Sequence, residues 1–204
     1  MNLRNNKAFT LVELLIVIGL LGAIALIVLS AINPIEQSNR ARDTKFKSDS
    51  SQLISAIERY FTQRAEFPWQ TNTPATYTSA DTAFPFTSAT SLDIGICGTS
   101  AAACSTDGLL IVNDELKTEF RNRDFIKGNP SAVDKKINVG KATGSSSSIY
   151  ACFVPLSKSM RQKSCTDGKV YTLSGSTRSA VSCTAASTWV VTPAGSEWVV
   201  CLPE

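Results

Sequence analysis

Between Phe9 and Ile32 the chain runs for 24 residues with a single ionisable side chain, Glu13. At about 1.5 Å rise per residue, a helix of that length covers roughly 36 Å, enough to cross a hydrocarbon core of about 30 Å with some tilt. Arg4 and Lys7 precede the run and no acid stands before Glu13. The positive-inside rule therefore keeps the N-terminus cytoplasmic and sends the bulk of the chain outside. A secretory signal would be cut after its apolar region, at a small-residue site. Here "VLSAINP" is a weak candidate, and the better processing site lies before the run, between Ala8 and Phe9. Glu13 is the anomaly. A lone carboxylate in a bilayer costs about 2.5–3.5 kcal/mol on insertion scales, so it either snorkels to the headgroups or has a partner or a function.

Histidine is absent from the 204 residues. That removes His-dependent triads, His metal sites and His general acid–base catalysis. The net charge is +3, and without the first eight residues 18 basic side chains face 17 acidic ones, so no basic groove for a specific nucleic acid is expected. Six cysteines, Cys97, Cys104, Cys152, Cys165, Cys183 and Cys201, lie in the C-terminal part without any CxxC. An even count beyond an export-type start reads as three disulfides in an oxidising compartment, each contributing about 2–4 kcal/mol. Many connectivities are open; pairing sequence neighbours gives Cys97–Cys104, Cys152–Cys165 and Cys183–Cys201. No metal or cofactor is expected.

The stretch "KAFTLVELLIVIGLLGAIA" resembles the class III leader and N-terminal helix of type IV pilins and type II secretion pseudopilins: a short basic leader ending in Gly or Ala, then Phe-Thr-Leu-x-Glu, then an apolar helix. The match is close from Lys7 to Ile32; Ala8 stands where Gly is commonest. The resemblance implies that a membrane prepilin peptidase cuts Ala8–Phe9 and methylates the new Phe9 amine. It also implies that Glu13 pairs in assembly with the N-terminal amine of an adjacent subunit, and that in assembled filaments the helix unwinds around breakers, here Gly19, Gly22 and Pro34, with any melted stretch between Gly22 and Pro34. Partners would be further copies of the chain in a helical homopolymer, the peptidase and the pilus assembly machinery. The chain would be a single-pass protein of the inner (cytoplasmic) membrane before assembly and an extracellular filament afterwards.

Downstream, Pro34 disfavours helix at Asn33, giving either a kink or the first residue of a second helix. Residues 35–44 are polar, with Glu36→Arg40 and Asp43→Lys47 in the favourable i, i+4 order. This half should face solvent or neighbouring subunits. Phe46, Leu53, Ile54, Ile57, Tyr60 and Phe61 then share one helical face, a stripe that should dock on a head. The helix should stop near Ala65, before Pro68. The Thr-, Ser- and Pro-rich stretch 71–91 reads as a loop, and "GLLIVNDELKTEFRNRDFIKGNP" as a strand with a short helix or as one helix. "SIYACFVPL", "KVYTLSG" and a hairpin of "STWVVTP" with "SEWVVCLP" read as strands. The expected architecture is α+β and pilin-like, a long N-terminal helix packed on an antiparallel sheet of about three to five strands. Its segments are a cleaved leader (1–8), the helix (9–65, with 9–32 in the membrane or filament core) and an extracellular head (66–204).

Four function classes follow. The first is a structural pilin that polymerises through its apolar helix into an extracellular filament for adhesion, motility or a related surface function. The second is a minor pilin or secretion pseudopilin; the lack of an acidic loop near the C-terminus speaks against its calcium-binding members. The third is a membrane-anchored extracellular binding domain that never polymerises. An enzyme is the weakest: no S-x-x-K occurs, and Asp93, Asp107, Asp114, Glu115, Asp124 and Asp134 show no pairing pattern.

Overall fold

The computed structural model describes residues 9–31, 33–99, 104–184, 188–190 and 197–204. It divides into two compact units, Met1–Ser38 and Asn39–Glu204.

In the first unit, helix α1 (Leu11–Ala31) passes uninterrupted through Gly19 and Gly22. Helix α2 (Pro34–Arg64) starts on Pro34, and Asn33 caps it by accepting the Glu36 N–H at 3.1 Å. Proline suits that first position because its missing N–H would have no helical partner there.

In the second unit, α2 buries Phe46, Leu53, Ile54, Ile57 and Tyr60, with Phe61 partly covered. It ends at Arg64, where Ala65 turns left-handed (φ 57°) and Pro68 opens the short helix α3 (Pro68–Asn72). The polar start of α2 departs from expectation at Asp43, which is fully buried. Asp43 does not turn to Lys47. It accepts the backbone N–H groups of Leu156 and Ser157, while Lys47 pairs with Glu204. A charge can sit there because several donors converge on it.

The sheet has the order β1–β2–β3–β6, all antiparallel, from Phe84–Ser88, Ile137–Lys141, Ile149–Phe153 and Val200–Leu202. Strand period sets its two faces. Ile149, Ala151 and Phe153 point into the α2 core, and Phe46 meets Phe153 edge-on at 5.8 Å. Tyr150 and Cys152 point the other way, where the hairpin β4–β5 (Tyr171–Ser174 and Thr177–Ala180) covers them with Tyr171 and Leu173. Arg178 of that hairpin stacks on Tyr150 and Tyr171 at 3.6 and 4.5 Å. Helix α5 (Lys158–Thr166) follows β3, capped by Ser157.

Several expectations need correction. The stretch 71–91 is not all loop: β1 lies inside it. Phe84 is its anchor, fully buried and stacked on Trp69 at 4.3 Å, and an edge strand tolerates Pro85. The segment after Cys104 forms neither a strand nor a long helix. It makes a single turn, α4 (Leu109–Val112), and then a 3-10 turn at Thr118–Asn122. Asp114 adopts φ 60°, which breaks any continuous helix. The "SIYACFVPL" and "KVYTLSG" strands form as β3 and β4. The turn of the expected C-terminal hairpin, 191–196, lies outside the described residues, although Trp198 N–H donates to Val190 at 2.8 Å. The last strand pairs with β3 through Val200–Leu202.

The disulfides are Cys97–Cys104, Cys152–Cys201 and Cys165–Cys183. The first is the neighbour pairing. The other two replace Cys152–Cys165 and Cys183–Cys201 for a topological reason. Cys152 faces the outer side of β3, directly opposite Cys201 on β6. Cys165 sits at the far end of α5, in a separate cluster with Val170, Trp189 and Cys183. The α+β layout itself holds: an apolar N-terminal helix, an antiparallel sheet and three disulfides.

Candidate functional site

Within the described residues of α1 the large apolar side chains are bare. Their exposure runs from 44 % at Val17 to 80 % at Leu11, and Phe9 before them is 77 % exposed. A helix apolar on all sides must be surrounded by lipid or by protein. By length and composition, Leu11–Val28 suffices to cross a membrane.

Glu13 belongs to a local device at the start of this helix. The Thr10 backbone N–H donates to Glu13 Oε2 at 2.9 Å and the Thr10 hydroxyl donates to the same oxygen at 2.8 Å. In return the Glu13 N–H donates to Thr10 Oγ1 at 3.2 Å. This is a capping box, with Thr10 as N-cap and Glu13 at the third helical position. The carboxylate also sits at the positive end of the helix dipole. Both donors land on Oε2, and among the described residues none reaches Oε1. Among the described residues the charge is thus held at Oε2 while Oε1 has no donor. Thr10 is the functional residue that sequence reasoning passed over; its signal was the T-x-x-E spacing directly before an apolar run.

Ala8 lies outside the described residues, as do the rest of 1–8. Gly19 and Gly22 have no neighbouring atom within 4 Å of where a side chain would start.

Several ionisable groups of the second unit hold its segments together. A groove of about 810 Å³ runs between Thr44, Ser48, Ser51 and Gln52 of α2 and the 115–123 segment. Several of its charges are engaged: Arg59 Nε donates to Glu115 at 2.7 Å, Lys47 to Glu204, and Arg123 lies 3.5 Å from Asp49. Asp93 accepts from Thr73 at 2.6 Å, Asp107 pairs with Arg121 at 2.7 Å and Asp124 with Lys45 at 2.7 Å. Lys141, fully buried, donates to the carbonyls of Ala80, Ala142 and Gly144, and burial lowers its pKa. These pairs tie segments of the second unit together.

Residues 3–29 match the family model described as the prokaryotic N-terminal methylation motif, the class III signal of type IV pilins. The start of the chain is therefore that of a type IV pilin-like or pseudopilin protein, a signal that implies prepilin peptidase and an assembly machinery. No curated protein matches the chain, and no solved structure does.

Proposed function

We propose, from the methylation signal at residues 3–29, that the chain is the structural subunit of an extracellular filament. Cleavage between Ala8 and Phe9 frees an amine, which is then methylated. The mature chain waits in the inner membrane on α1 until the assembly machinery transfers it to a growing fibre. Head-to-tail contacts that do not close into a ring extend such a fibre indefinitely. The apolar helices leave lipid for one another, so their bare surface never meets water.

The observation that carries this reading is the half-open carboxylate of Glu13 beside the processing site. Thr10 occupies Oε2, and the Phe9 amine of an adjacent copy takes Oε1, so two charges neutralise without dismantling the helix cap. Replacing Glu13 by Val tests it in cells. The variant should insert and be cleaved as usual but yield no fibre; fibres at normal yield would overturn the proposal.

The same signal serves minor pilins and secretion pseudopilins. The two roles separate by amount: a principal subunit dominates the material sheared from cells, whereas a minor one is scarce in it.

A further inference from the structure

Any pull on residues 9–38 enters the second unit through the backbone at Asn39, on α2. A strong grip near that entry is Asp43. The carboxylate of this fully buried residue accepts Leu156 N–H at 3.0 Å, Ser157 N–H at 2.8 Å and the Ser157 hydroxyl at 2.7 Å. Arg42 Nη1 bridges to it at 3.0 Å and donates to the Val154 carbonyl at 3.0 Å. The gripped segment, 154–157, lies between two covalent cross-links, Cys152–Cys201 in the sheet and Cys165–Cys183 at the end of α5.

We propose that Asp43 is the mechanical anchor by which tension on the N-terminal helix is passed to the disulfide-tied sheet. The idea rests on the filament reading, since only a subunit under tension needs such an anchor. Charge-assisted hydrogen bonds in a water-excluded site are short and about twice as strong as neutral ones. Three of them held by one rigid carboxylate must break together when α2 is drawn away from 154–157. The apolar stripe of α2, by contrast, slides and yields gradually, because dispersion contacts are individually weak.

The test pulls single full-length molecules in detergent micelles at constant force, through click-reactive residues, because the cysteines are occupied. In one geometry the handles replace Gln37 and Ser146, which puts α2 on the path. In the other they replace Lys127 and Ser146, which leaves it off. Asp43→Asn should shorten the lifetime under force by about tenfold or more in the first geometry and by less than about twofold in the second. Ser157→Ala, which removes one of the three donors and keeps the charge, should give a smaller loss in the first geometry alone. Equal losses in both geometries, or none in the first, would overturn the proposal. Pulling needs no fibre, so a chain that never polymerises but behaves as stated would sink the filament reading and leave the anchor standing.

Discussion

Thr10 and Glu13 hold each other across the first turn of α1, the hydroxyl donating to Oε2 while the Glu13 N–H donates back to Oγ1. The charge in the apolar run is thus partnered before any second copy arrives. A carboxylate that brings its own donors costs less to place at a membrane edge than a bare one.

Thr10→Ala should therefore loosen the start of α1 without preventing insertion. Loss of a threonine cap costs about 1 kcal/mol, so the Glu13 amide, which donates to the Thr10 hydroxyl, should exchange roughly fivefold faster in micelles. Thr10→Ser should restore the protection. Unchanged exchange in the alanine variant would contradict the capping role.

Non-reducing peptide mapping should recover Cys97–Cys104, Cys152–Cys201 and Cys165–Cys183. Removing the sheet bridge with Cys152→Ser and Cys201→Ser together should cost about 2–5 kcal/mol in denaturant unfolding. Recovery of a Cys152–Cys165 peptide would refute the strand facing described above.

Gly140 is a packing requirement. A Cβ placed there would lie 2.7 Å from ring atoms of Phe86 on the neighbouring strand. Gly140→Ala should cost about 1–3 kcal/mol through overpacking. In a Phe86→Ala background the same change should cost much less, and equal costs in both backgrounds would rule out the contact as the cause.

Two carboxylates should bend the pH profile in opposite senses. Burial holds Asp49 above the usual carboxylate range, against the pull of Arg123 and Lys45, with Asp124 adding to the rise. Its native form keeps a proton that the unfolded chain has lost, so this contribution falls as pH rises from the unfolded value through the folded one. Lys47 and Lys169 hold Glu204 below its usual range. Its contribution is present above the unfolded value and is lost as pH falls through the folded one. Urea midpoints of the micelle-bound chain, taken from about pH 7 to about pH 3, span both carboxylate ranges. Glu204→Gln should lessen the acid-side loss and Asp49→Asn should deepen it. The reverse order would show that the burial of Asp49 is misassigned.

What was legible in the sequence is what rests on local pattern. Phe46, Leu53, Ile54, Ile57 and Tyr60 announce a helical face, and the short apolar run Ile149–Phe153 after the serine-rich loop announces a strand. β1 was hidden because an edge strand needs only one deeply buried anchor, Phe84, and the Thr-, Ser- and Pro-rich sequence around it has the composition of a loop. Asp43 and Lys141 were invisible for a different reason. Burial of a charge depends on distant donors or acceptors, here the 156–157 backbone for Asp43 and the Ala80 carbonyl for Lys141, that no local pattern reports. The cysteine partners turned on which face of β3 carries Cys152, fixed only once β6 is placed beside it. At the candidate site, Glu13 stood out by its charge, whereas Thr10 did not, since a hydroxyl in an apolar run attracts less notice than its spacing to the acid warrants.

The most direct measurement is the intact mass of the protein sheared from cells. The account predicts a fibre subunit that begins at Phe9, carries one added methyl group and lacks six thiol hydrogens. A chain that stays in the membrane fraction with residues 1–8 still attached, and no fibre in the sheared material, would contradict it.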